Sequence, residues 1–240
     1  MQGCPNLLAV FDTLIGVAFS SALVWLLAAT GYKMMQWLKS PSPLRIPITP
    51  APRTRLGVLG RLLLELLAFR SLARANLVTW VASLAFHYGL LFVLIMHLRF
   101  VFPNLSPSLI PFIMWSGWAT AFMLLGLIVL LLRRCLVDRL RYISSPSDYL
   151  HVLLLIGIGV SGLILKRIWP TDLYAMGEFL RGAIMFDWQQ LPDHIGVVLH
   201  LGLVLLLIVV FPISKLLHGI GIVFSPTLNQ RDSAKQSKRV

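Results

Sequence analysis

Histidine is costly in an apolar segment, because hydrocarbon satisfies neither the donor nor the acceptor on its ring. Four of the six histidines in this chain lie in or at the ends of just two long apolar runs. His87 and His97 share the first run, which contains Phe86-His87-Tyr88-Gly89. His200 and His218 belong to the second and flank Phe211-Pro212-Ile213-Ser214-Lys215-Leu216-Leu217. Neutral imidazoles are good iron ligands, and a b-type haem takes two of them on opposite sides of a flat, apolar macrocycle. Two facing helices with two histidines each provide two such sandwiches. The residues therefore read as axial ligands of two haem b groups inside a membrane. Histidines that pack between helices or line a proton path are the alternatives that spacing leaves open.

Composition supplies the membrane. The 240 residues are 58% hydrophobic and only 12% charged, whereas a soluble domain is about a quarter charged. Apolar runs long enough to cross a ~30 Å hydrocarbon core recur along the chain. The expected class is all-α: a single membrane domain over 1–218 with five spans, at about 8–36, 76–102, 112–132, 149–165 and 195–217. A basic tail follows over 219–240. The formal charge of +12 sits in loops and tail, where it fits orientation and anionic lipid better than nucleic acid. Cys4 and Cys135 form neither a disulfide framework nor a metal motif. The first apolar run has no positive segment before it and reads as a span rather than a cleavable leader.

The segments between the spans differ in character. Ser40-Pro41-Ser42-Pro43, Pro47, Pro50 and Pro52 exclude a continuous helix and predict an extended basic loop. Residues 56–74 carry an apolar stripe of Leu59, Leu62, Leu63, Leu66, Leu67 and Phe69, with Arg61 and Glu65 as an i,i+4 pair. This reads as an interfacial helix, serving as an anchor, as a docking surface for a soluble partner, or as both. Residues 168–193 read as a more polar loop. Ser145-Pro146-Ser147-Asp148 predicts a turn and helix start with Asp148 as the cap. Lys and Arg concentrate in loop 1–2, loop 3–4 and the tail, which places the N-terminus outside and the C-terminus in the cytoplasm.

Under that orientation spans two and five run in opposite directions. His97 then pairs with His200 towards the outside, and His87 with His218 towards the cytoplasm. The spacings are unequal: ten residues in span two, roughly 15 Å of helix, and eighteen in span five, roughly 27 Å if straight. Eighteen residues return to one helical face, while ten leave a rotation of about 80°. A kink at Pro212 absorbs part of the difference. Gly89 and Gly202 would let a porphyrin edge approach the backbone, although glycine also serves ordinary span packing. His194, near the outer interface, lines a quinone pocket, replaces a ligand or faces water. His151 reads as an interfacial residue.

The histidine pattern, with His200-Leu201, Phe211 to His218 and Arg133-Arg134 after span three, resembles the respiratory nitrate reductase gamma subunit family of five-span dihaem cytochromes b. Three further stretches resemble one branch of it. They are Trp37 to Pro47, Glu65 with Phe69-Arg70-Ser71-Leu72-Ala73-Arg74, and Phe224-Ser225-Pro226-Thr227. That branch is the membrane cytochrome b of the sulfite-reductase-associated Dsr complex and of related heterodisulfide-reductase-like complexes. The resemblance implies the same pairing, His87 and His218 on the inner haem and His97 and His200 on the outer. It also implies quinone or quinol exchange near the outer haem, a cytoplasmic iron–sulfur partner like the catalytic subunit of heterodisulfide reductase, and a place in the bacterial or archaeal cytoplasmic membrane. Further membrane or periplasmic subunits fit the same picture. The 98–117 stretch has no lysine and only Arg99 as a cation, so quinone-site residues do not carry over.

The expected function is an electron-carrying membrane subunit whose catalytic centre lies on a partner. A nitrate reductase gamma subunit is the nearest alternative. A histidine-lined proton pathway, which would favour broken helices or an internal repeat, and a haem-free structural anchor are alternatives of other classes.

Overall fold

The computed structural model describes residues 7–41, 47–192, 195–225 and 227–232. Every regular element among them is helical. The reason is physical: hydrocarbon offers no partner for a backbone N–H or C=O, and a helix satisfies both within one segment. Five segments are long and apolar enough to cross a membrane: Leu7–Lys39, Leu77–Val101, Pro103–Leu136, Pro146–Arg167 and Ile195–Ile213. Their number and order are those the sequence predicts.

The helices are α1 (Leu7–Lys39), α2 (Arg55–Ala68), α3 (Arg70–Ala75), α4 (Leu77–Val101), α5 (Ser106–Leu109), α6 (Ile113–Leu136), α7 (Asp138–Ile143), α8 (Pro146–Arg167), α9 (Leu173–Met185), α10 (Ile195–Val210) and α11 (His218–Phe224). They fall into two compact units. One runs to Leu26 and resumes over Val81–Val210; the other takes Leu27–Trp80 and the chain from Phe211 onward.

In the first unit, α1, α9 and α10 enclose a core of Phe19, Phe179, Ala183, Val197 and Leu201. Ser20 on α1 donates its hydroxyl to the Ala183 carbonyl at 2.6 Å, and the Trp188 indole donates to Ser20 at 3.2 Å. Glycines on α4 and α6 allow those helices to touch. A Cβ at Gly89 would lie 2.6 Å from the Ala119 carbonyl oxygen, and one at Gly126 would lie 2.5 Å from that of Ala82. Helix α8 opens where expected, and Ser145 and Asp148 form a reciprocal capping box there. Asp148 also pairs with Arg134 at 3.4 Å.

Residues 168–193 are not simply a polar loop. They contain α9, capped by Asp172, whose carboxylate accepts from the N–H groups of Tyr174 at 2.8 Å and Ala175 at 3.1 Å. Phe186 ends it with a left-handed backbone, φ 61°. The apolar spacing Leu173, Met176, Phe179, Leu180, Ala183 carries the helical period, and Phe179 is fully buried.

In the second unit the stretch predicted as one interfacial helix is two. Phe69, at φ 46°, separates α2 from α3. Glu65 does not pair with Arg61. It accepts from the Ser71 N–H at 3.0 Å and the Ser71 hydroxyl at 2.7 Å, which satisfies the start of α3 where helical donors lack partners. Arg61 instead donates to the carbonyls of Ile48 and Pro50. Two backbone bonds, Ile48 N–H to the Thr227 carbonyl and Asp232 N–H to that of Pro52, tie the Pro-rich loop to the residues after α11.

Span five also differs from expectation. The α-helix ends at Val210, and 3-10 turns follow at Phe211–Ile213 and Lys215–Leu217 before α11 begins at His218. Pro212 breaks the helix rather than kinking it, since its ring blocks the carbonyl four residues back and it has no N–H to donate. The Ser214 hydroxyl then accepts from the Leu216 N–H at 3.1 Å and starts the next turn. The tail expected from 219 is helical as far as Phe224.

Candidate functional site

His87 and His97 both lie on α4, in the first unit. The Nδ1 of His87 is 2.8 Å from the Ser83 carbonyl, and that of His97 is 2.7 Å from the Val93 carbonyl. A carbonyl can only accept, so in each ring Nδ1 carries the proton and donates. The lone pair of the neutral imidazole is then on Nε2. His218, in the second unit, follows the same rule: its Nδ1 is 3.0 Å from the Lys215 carbonyl.

His200 differs. Its Nδ1 meets the Ser161 hydroxyl at 2.8 Å, and Ser161 donates onward to the Ile158 carbonyl at 3.0 Å. Donation by Ser161 to Ile158 leaves its oxygen to accept from His200, which gives the same tautomer. The neighbouring Gly162 leaves room for the ring, since a Cβ there would lie 3.3 Å from His200 Cε1. His97 and His200 are within electrostatic range of each other. They are the two predicted ligands that the first unit brings together.

Two expectations need correction or addition. Gly89 does not open a path for a porphyrin, because its bare face is occupied by the α6 backbone. At Gly202 a Cβ would meet nothing within 4 Å, so that approach is open. Sequence reading missed Ser161. A lone buried serine in an apolar span is the signal that could have found it. His151 sits half-buried near the start of α8, and His194 lies outside the described residues. Among the described residues no cluster of three or more His, Cys, Asp or Glu could hold a bare metal ion. Paired histidines across a macrocycle need no such cluster.

The donor set fits a haem. Metal-bound histidines characteristically donate their second ring N–H to a fixed acceptor, which sets the tautomer and orients the ring. All four predicted ligands do so.

Around this site lies a protein with five membrane-length helices, and the chain is a multi-pass membrane protein. Residues 70–229, a stretch that includes all four histidines, match the nitrate reductase gamma subunit family, and the chain belongs to it. Among its relatives, an Archaeoglobus fulgidus protein named Hdr-like menaquinol oxidoreductase cytochrome b-like subunit is 29% identical over 280 aligned residues. That alignment covers 95% of this chain and 83% of the relative. An Archaeoglobus profundus protein of the same name is 28% identical over 262 residues, covering 88% of this chain and 76% of that one.

Proposed function

We propose that this chain is a dihaem cytochrome b subunit that carries electrons between membrane quinone or quinol and a cytoplasmic iron–sulfur partner. One observation supports it above the rest: all four histidines hold Nδ1 on a fixed acceptor, the tautomer that puts the imidazole lone pair on Nε2, the nitrogen that would bind iron. Bound haem supplies one-electron exchange at its iron. The chain's part is to fix the imidazoles, set their basicity through the Nδ1 partners, and keep water from the macrocycle.

The pairing is His97 with His200 on one haem and His87 with His218 on the other. The basic character of loop 1–2, loop 3–4 and the tail supports putting the first haem towards the outside, near quinone, and the second towards the cytoplasm. The names of the Archaeoglobus relatives favour menaquinol as the quinol and an Hdr-like complex as the setting; a heterodisulfide-reductase-like partner and a place in dissimilatory sulfur metabolism are what the sequence resemblance adds. The family match favours a second reading, a nitrate reductase gamma subunit. Co-purification distinguishes the two by the partner retained.

The direct test is the dithionite-reduced minus oxidised spectrum of the purified chain, with haem quantified per chain, for wild type, His97→Ala and His218→Ala. Two b haems in wild type, falling to one in each variant with a different haem lost, is the expected result. A folded wild type with no haem would overturn the cytochrome reading in favour of a proton pathway.

A further inference from the structure

Arg99 lies at the C-terminal end of α4, two residues after His97. Its guanidinium stacks 4.9 Å from the centroid of the Phe100 ring, and that ring in turn meets the His97 imidazole edge-on at 5.7 Å. The Arg99 Nε is buried and has no hydrogen-bond partner. A buried donor left unmade carries the full cost of its lost hydration, and more so when charged. Two further cations, Lys166 and Arg167, end α8. Lys166 lies within electrostatic range of both Arg99 and Arg167. Its ammonium crosses to α6 and donates to the Ile113 carbonyl at 2.6 Å and the Ser116 hydroxyl.

Nothing anionic in the described residues answers these three charges. The ion pairs there are Arg134–Asp148, Arg141–Asp138 and Arg181–Glu178. Glu178, close in the chain to this end of the bundle, is taken by Arg181, which also donates to the Phe100 carbonyl at 2.9 Å. Like charges gathered at the end of apolar spans repel without a counterion, and intramembrane cations generally have a partner.

We propose that Arg99, supported by Lys166 and Arg167, binds the carboxylate side chains of the tetrapyrrole held between His97 and His200. The proposal rests on the haem reading of those two histidines. A haem b carries two such carboxylates on one edge of its ring. Arginine suits them because its planar fork binds a carboxylate through two parallel hydrogen bonds. Its positive charge also favours the reduced, less positive iron. The cluster therefore sets the redox poise of this haem as well as its seat.

The test is a redox titration of the full-length protein in detergent, followed by absorbance and by paramagnetic resonance of each ferric haem. In Arg99→Gln the reduced-to-oxidised ratio of the His97–His200 haem at fixed potential should fall about tenfold, equivalent to 59 mV for one electron. The other haem should not move. Arg99→Lys should recover most of the ratio, and Lys166→Gln should shift it in the same direction as Arg99→Gln. An unchanged ratio in both glutamine variants, with both haems retained, overturns the assignment. A wild-type ratio that depends on phosphatidylglycerol against phosphatidylcholine nanodiscs, with no response to Arg99→Gln, assigns the cluster to lipid headgroups and also overturns it. Wild-type protein without haem sinks the functional reading instead, which keeps the two failures apart.

Discussion

The Ser161 hydroxyl on α8 lies 2.8 Å from the Nδ1 of His200 on α10. The other predicted ligands rest on carbonyls of their own neighbourhood, three or four residues back. His200 alone among the four depends, in the hydrogen bonds above, on a side chain from another helix. Its orientation is therefore open to single-site substitution.

On the proposed ligation, Ser161→Ala should leave the protein folded and loosen the haem assigned to His200. Losing an outer partner of a metal ligand typically weakens binding 10–100-fold. Haem transfer to excess apomyoglobin, timed for each haem by its absorbance, should show one haem leaving at least ~10-fold faster. Ser161→Thr should restore retention, because it keeps the hydroxyl. Equal release rates in Ala and wild type would show that Ser161 only fills space.

Gly126 and Gly60 should respond in opposite directions to alanine. At Gly126 the new Cβ would press on the Ala82 carbonyl at 2.5 Å and the Phe86 nitrogen at 2.8 Å, both backbone atoms with little room to yield. Overpacking of this kind costs about 1–3 kcal/mol. At Gly60, on α2, nothing lies within 4 Å, and alanine should stabilise that helix by up to about 1 kcal/mol. Thermal unfolding in one detergent, with the two variants side by side, measures both shifts.

Helix α9 should prove structural. Phe179 is fully buried at the centre of its cluster, and Phe179→Ala should cost about 3–5 kcal/mol. Asp172→Ala removes a cap that serves two N–H groups and should cost about 1 kcal/mol. Denaturant titration followed by near-ultraviolet circular dichroism should rank them in that order; a larger loss for Asp172→Ala would contradict this account.

Asp148 joins two tasks, the cap of α8 and a partner for Arg134. Asp148→Asn keeps an acceptor for the Ser145 N–H and loses the charge. Asp148→Ala loses both. Alanine should therefore destabilise by about 1 kcal/mol more than asparagine, read as the difference between their unfolding midpoints.

Much of this was legible in the sequence, because hydrocarbon leaves a crossing chain few choices. The five spans follow from apolar length, and the start of α8 from Ser145-Pro146-Ser147-Asp148, although the reciprocal box in which Ser145 is the cap and Asp148 its partner appears only in the structure. What escaped was decided by partners distant in the chain. Glu65 satisfies the start of a second helix rather than an arginine one turn away, because Phe69 turns left-handed between them. Gly89 serves helix packing because α6 arrives there with Ala119. Ser161 acquires a role only when α10 brings His200 to it. Helix α9 was hidden by its surroundings: the polar and proline residues around it outweighed an apolar period only thirteen residues long.

The break between Val210 and His218 has an evolutionary consequence. One residue added within a continuous helix rotates everything beyond it by about 100°, which would turn a histidine away from the group it faces. Between α10 and α11 the chain is not one α-helix, so the eighteen-residue spacing from His200 to His218 is not a helical register. Lineages are free to gain or lose residues across 211–217 and let the turns re-form, while the run from Ile195 to Val210 tolerates no such change. Aligned sequences should gather their gaps in that short stretch.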